Sequence, residues 1–141
     1  MARGPLFQDT YSPQFSGHET FPLRYGWLKK SYDRVAETEH EDENRALCWD
    51  DDIARFGVGK NMVASMRHWA KASGIIEEPA TNSVKVADLG RKLLSDDGGF
   101  DPYMEHPATL WLIHWQLAAY PEKTTWFWAF SHFPAVTFER D

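Results

Sequence analysis

Two short clusters in the sequence bring together side chains that can handle protons or cations. One is His18-Glu19; the other is Asp101, Glu105 and His106. Carboxylates beside a His are the groups that gather Mg or Mn for hydrolysis of a phosphodiester. Each cluster also has a plainer use. Thr20 and Pro22 suit a helix start that Glu19 would serve, Asp101-Pro102 is a common turn opener, and His106 precedes a proline where a helix can begin. Asp50, Asp51 and Asp52 could attract a divalent ion, yet clustered carboxylates equally stabilise the positive end of a helix. Cys48 has no neighbouring His to activate it as a nucleophile. The sequence contains no His-x-x-x-His or Cys-x-x-Cys pair, so a zinc site is not expected.

A third group has a different chemistry. Residues 53–76 contain no acid and four bases, Arg55, Lys60, Arg67 and Lys71, whereas residues 37–52 hold eight acids against Arg45 alone. The net charge of −6 therefore conceals a strong segregation. Such asymmetry matters more to a polyanionic partner than the sum does. Lys60, Asn61, Ser65, Arg67, His68 and Lys71 lie on one stretch with helical patterning. Arg and Asn read base edges, and Lys supplies phosphate attraction. Arg55 and Lys85 are auxiliary phosphate contacts, the latter weakened by Glu77 and Glu78 close by.

The elements that position these residues follow from punctuation and periodicity. Residues 1–16 read as an extended arm. Thr20 and Pro22 predict a helix start, with Leu23, Trp27, Leu28 and Tyr32 at helical spacing. The acidic run 37–43 lacks apolar periodicity and is expected to be a solvated loop. A short helix near 49–52 should bury Ile53 and Phe56 and stop at Gly57, and Gly57-Val58-Gly59 reads as a tight turn. Lys60–Ser73 is the next helix, with Val63, Met66 and Ala70 on its inner face and Gly74 as its cap. Strands are expected at 75–77 and 83–86 around a turn at 79–82, followed by helices at 87–95, from Pro107 to about Tyr120, and from Thr124 or Thr125 to about His132.

Helix, short helix, three-residue turn, basic helix, hairpin and helix is the order of a winged helix-turn-helix. The expected class is therefore mainly α with a small β-hairpin. It comprises the arm at 1–16, the winged helix-turn-helix at 17–95, and a helical extension at 96–141 leading toward a further carboxy-terminal half. The chain of 141 residues, 43% apolar and 15% aromatic, has ample material for a core. One Cys, no long apolar stretch and no signal pattern lead to the expectation of a cytoplasmic protein without membrane contact. His114, between Trp111 and Trp115, reads as a hydrogen-bonded core histidine. Trp126, Phe127, Trp128, Phe130 and Phe133 read as a packing surface for a homodimer or for a further carboxy-terminal half.

The run from Phe15 to Arg24 (FSGHETFPLR) resembles the opening of a bacterial family, domain of unknown function 4007. Gly57–Val63, Asp101–Glu105, Thr109–Trp115 and Thr124-Thr125-Trp126 continue the resemblance in order along nearly the whole chain. It implies association with DNA phosphorothioation, the replacement of a non-bridging phosphate oxygen by sulfur. A cysteine desulfurase, an ATP-using sulfur-transfer partner and DNA are the implied partners, and DNA nicking is the implied activity of a parent about twice this length. The reading is a DNA-docking portion with no cofactor of its own. One alternative places part of a nicking site here, drawn from His18, Glu19, Asp101, Glu105 and His106, with Mg or Mn in the parent. A further alternative is an assembly module. The acidic loop could also mimic phosphate and compete for the basic helix.

Overall fold

The computed structural model describes residues 4–41, 49, 52–80 and 83–139. Cys48, Asp50 and Asp51, and the acids at 42 and 43, lie outside the described residues. Six helices and one two-stranded antiparallel hairpin make a mainly α fold: α1 (Trp27–Glu41), α2 (Asp52–Phe56), α3 (Lys60–Ala72), β1 (Ile76–Ala80), β2 (Ser83–Val86), α4 (Asp88–Leu94), α5 (Pro107–Ala118) and α6 (Thr124–Ser131).

The first helix begins later than expected. Glu19 and Thr20 both take positive φ, +48° and +65°, so the chain turns through this region and cannot be helical there. Thr20 is no cap, and Leu23 packs on the core from outside the helix. Gly26 then leads into α1, its carbonyl accepting the Lys30 N–H at 3.0 Å. Trp27, Leu28, Ser31, Tyr32, Val35 and Thr38 form the buried stripe of α1. At its far end the acids 37–41 are helical rather than a loop. Two of these charges are met across the fold: Glu37 pairs with Arg55 of α2, and Glu39 accepts Arg91 at 2.9 Å and the Val86 N–H at 2.7 Å. Glu37 and Glu39 thereby hold other elements in place.

The α2–turn–α3 unit forms as the punctuation suggests. Gly57 and Val58 donate N–H bonds back to Ile53, and Gly74 (φ +70°) closes α3 with Ile75 N–H bonded to the Ala70 carbonyl at 2.9 Å. Val63, Met66, Trp69 and Ala70 point into the core, against α1, Ile75, Ile76, Val86, Leu93 and Leu94. Each fully buried Leu or Ile contributes about 1.5–3 kcal/mol.

The hairpin runs further than expected. Ile76 faces Val86, both buried, and Glu77 faces Lys85, both exposed, before the register shifts between Glu77 and Ala80. Glu78 and Pro79 occupy that irregularity. Proline cannot donate to a ladder, and a bulge accommodates it inside a strand instead of ending it.

Beyond α4, Asp101 organises the approach to α5. Its carboxylate accepts the Glu105 and His106 N–H groups at 3.0 and 2.9 Å and the Thr109 hydroxyl at 2.5 Å. His106 caps α5 by accepting the Ala108 N–H on Nδ1. At the α5–α6 corner, the Tyr11 hydroxyl donates to the Pro121 carbonyl at 2.8 Å, and the Thr124 hydroxyl accepts the Gln14 N–H at 2.8 Å. Thr124 thus anchors the chain's first residues, while Lys123 stands at the capping position of α6.

Candidate nucleic-acid interface

The expected contact residues separate into four groups. Lys60, Asn61, Arg67 and Lys71 lie exposed along α3. Ser65, expected among them, is fully buried; it lies one residue from Met66 on the inner face and cannot reach a ligand. Arg55 and Lys85 remain at the surface, but each is paired, with Glu37 and with Glu77 at 2.8 Å.

Helical spacing puts Arg67 and Lys71 one turn apart. The bulged Glu78 takes both: Oε1 lies 2.5 Å from Arg67 Nε, and Oε2 lies 3.0 Å from Lys71 Nζ. Burial raises the Glu78 carboxyl, but the two cationic hydrogen bonds outweigh it and leave the pKa below the ordinary value. One carboxylate therefore holds two of the expected phosphate contacts in a fixed orientation.

His68 occupies the next position on α3 and faces a cleft of about 650 Å³. Gln14 and Gly17, Gln116 and Tyr120 of the α5 end, and Lys123 form its other walls. The His68 ring is half-buried, 6.0 Å from the His18 ring and 5.3 Å from Trp69. Burial, then Lys123, His18 and Lys71, lower its pKa to about 4, so the imidazole is neutral near pH 7.

That shift has a consequence for stability. An unfolded His titrates near 6.5, so between pH 6.5 and 4 the unfolded chain binds the extra proton and stability falls with pH. The whole shift would correspond to about 3 kcal/mol; with half of the ring open to solvent, a loss of about 1 kcal/mol between pH 7.5 and 5 is expected. Urea unfolding of a His68→Gln variant should show that loss removed. Asp101 does not confuse the window. Thr109 and the His106 and Glu105 N–H groups lower its pKa against burial, so its contribution is lost only below the ordinary carboxylate range.

The two catalytic candidate sets do not converge. His18 packs on His68 and Trp69, and Glu19 is exposed on its positive-φ turn. Asp101 and His106 serve the start of α5, as described, and Glu105 is exposed. Both oxygens of Asp101 and the His106 Nδ1 already accept hydrogen bonds, which hold them to the start of α5. Among the described residues no three His, Cys, Asp or Glu side chains form a metal-binding group.

Among the described residues His114 is held by rings rather than by a hydrogen bond, with Phe130 at 4.4 Å, Trp126 at 5.8 Å and Trp111 at 6.0 Å. The aromatic block divides accordingly: Trp126 turns inward to Trp69, and Trp128 and Phe130 are exposed. The sequence does not announce Lys123 or Gln14 as site residues, and it announces Glu78 only as a neighbour of Lys85. Lys123 is 55 positions from His68, and only the aromatic surroundings of Pro121–Thr124 set it apart as the last base before Arg140.

A helical core carrying a basic helix and a hairpin, with an aromatic extension, defines the class. The chain belongs to the DUF4007 family of proteins of unknown function, whose model matches residues 15–141. Among solved structures it is similar to SspB, at 39% identity and a TM-score of 0.60 over 76% of this chain and 32% of that one. It is also similar to magnesium ion-bound SspB, at 36% identity and a TM-score of 0.59 over 77% of this chain and 31% of that one. The chain thus spans about a third of the length of these solved relatives. No curated protein matches it. Among the described residues no helix is long and apolar enough to cross a membrane.

Proposed function

We propose that this chain is a winged-helix DNA-docking unit of a phosphorothioation-associated protein. Its role is to seat a modification or nicking component on DNA in the bacterial cytoplasm. The observation that carries the reading is the outer surface of α3, where Lys60, Asn61, Arg67 and Lys71 are exposed and no residue of the helix is acidic. The helix–turn–helix–hairpin order is compatible with a winged helix, whose second helix enters the major groove. Likeness to SspB supports the phosphorothioation setting. A cysteine desulfurase, an ATP-using sulfur-transfer protein and a nicking activity of the parent belong to the same proposal.

Glu78 gives the test two opposite signs. DNA phosphates must compete with it for Arg67 and Lys71. In fluorescence anisotropy over a salt series, Arg67→Ala/Lys71→Ala should weaken duplex binding and reduce the log–log salt slope by about 1–2. Glu78→Gln should tighten binding, because both cations are released. No salt-dependent binding by the unaltered chain up to about 100 μM, within the usual non-specific range, would sink the docking role.

A second reading, an assembly module that includes a homodimer, rests on a specific surface. Leu110, Trp111 (73% exposed) and Trp115 (63% exposed) on α5, with Trp128 and Phe130 on α6, leave large apolar groups open to solvent. Sedimentation showing dimers, together with no DNA affinity, would favour it.

A further inference from the structure

Two cavities meet beside His68. The 650 Å³ cleft and a smaller pocket of about 240 Å³ under residues 14–18 share Gln14, His68 and Lys123. Lys71 faces this space from α3, and His18 from the segment before α1. Among the described residues two acids border it. Glu78 has both oxygens taken by Arg67 and Lys71. Glu122 attracts Lys123 but forms no ion pair with it among the described residues.

Lys123 is the unusual member. Its half-buried ammonium donates to the neutral Gln14 Oε1 at 2.8 Å, and no described carboxylate pairs with it. Burial and the neighbouring Lys71 both lower its pKa. Like charges gathered in a partly enclosed space repel each other and favour any anion that can share it.

We propose that this space is a phosphate-binding site, with the Lys71 and Lys123 ammonium groups holding the oxyanion and the His68 and His18 rings completing its wall. Phosphate suits it better than a carboxylate does. Its additional oxygens can accept from two ammonium groups and an imidazole N–H together. The cleft volume lies in the range of small-ligand sites. The inference deepens the DNA reading and rests on it for the source of the phosphate, which is either an internal phosphodiester or a terminal phosphate of a strand.

The test follows the His68 and His18 imidazole signals of the whole chain by NMR during pH titration. Three probes are compared: inorganic phosphate, a short duplex with 5′-hydroxyl ends, and the same duplex with 5′-phosphates. Binding at the site should raise the His68 pKa by about 1 unit or more, since an anion offsets the repulsion from Lys123, His18 and Lys71 that adds to burial in depressing it. A shift with both duplexes assigns the internal phosphodiester; one confined to the phosphorylated duplex assigns the strand end. Lys123→Met should lower phosphate affinity about tenfold or more, as expected for loss of a charge-assisted bond. Lys71→Gln, whose side chain is half-exposed, gives a second variant that does not disturb the α5–α6 corner.

Duplex binding with no movement of His68 by any probe would overturn the phosphate site while leaving DNA docking by α3 intact. A His68 shift with inorganic phosphate but no affinity for either duplex would uphold the site and overturn the DNA reading.

Discussion

Replacing Gly90 with alanine is expected to cost about 3 kcal/mol and to lower the melting temperature by about 10 °C. The sign is opposite to the ordinary one, because alanine in a helix interior normally gains about 1 kcal/mol over glycine. Gly90 lies in α4, where a Cβ would stand 2.2 Å from the Ile75 carbonyl oxygen and 3.2 Å from Val86 Cγ1. The first distance is far inside van der Waals contact, and the atom it meets is backbone. That carbonyl also accepts the Ala87 N–H at 3.0 Å, so α4 cannot retreat without loosening the bond that starts it. Thermal unfolding followed by circular dichroism measures the effect. An unchanged or raised melting temperature would show that α4 can slide on the α3–β1 junction.

Asp52→Ala should be comparably damaging, at about 3 kcal/mol, the low end for breaking a buried ion pair. Asp52 is 2% exposed and accepts from Arg34 Nε at 2.6 Å, and Arg34 also donates to Thr38 at 3.0 Å. Removing the carboxylate leaves a mostly buried guanidinium with, among the described residues, only a hydroxyl for a partner. A paired replacement, Arg34→Met/Asp52→Leu, should recover most of the loss because neither charge is then stranded. Urea denaturation of the three variants checks this, and a double variant as unstable as the single one would refute the assignment. Since the pair ties α1 to the start of α2, the single variant should also loosen the α2–α3 unit.

Local chemistry explains what could be read without coordinates. Val63, Met66 and Ala70 repeat at helical spacing and Gly74 ends their helix, so α3 was legible almost to the residue. The alternation of Val84 and Val86 with Lys85 likewise announces β2. Where sequence reading failed, long-range partners or backbone strain decided the matter. Glu37 and Glu39 look like loop residues until Arg55 and Arg91 meet them, and Thr20 looks like a cap until its positive φ rules that out. Ser65 shares its helix with the polar contact residues, but its helical position turns it inward. Pro79 reads as a turn because its bulge depends on the opposite strand. The candidate site was half legible: the cations of α3 announce themselves by composition. Glu78, Lys123 and Gln14 do not, because each matters only through a residue distant in the chain.

The anchoring of the first residues at the α5–α6 corner bears on the order of events in folding. Tyr11 and Gln14 meet Pro121, Lys123 and Thr124 across separations of 109 to 113 positions. Closing a loop of that length costs entropy that local contacts do not, so such pairings form after the local helices rather than before them. On a ribosome the amino-terminal segment must wait, already synthesised, until the corner emerges. The α2–turn–α3 unit and the hairpin can assemble in that interval, while the roof over His68 is completed last. The basic surface of α3 is therefore built early in the chain's life, and the enclosed space beside it late.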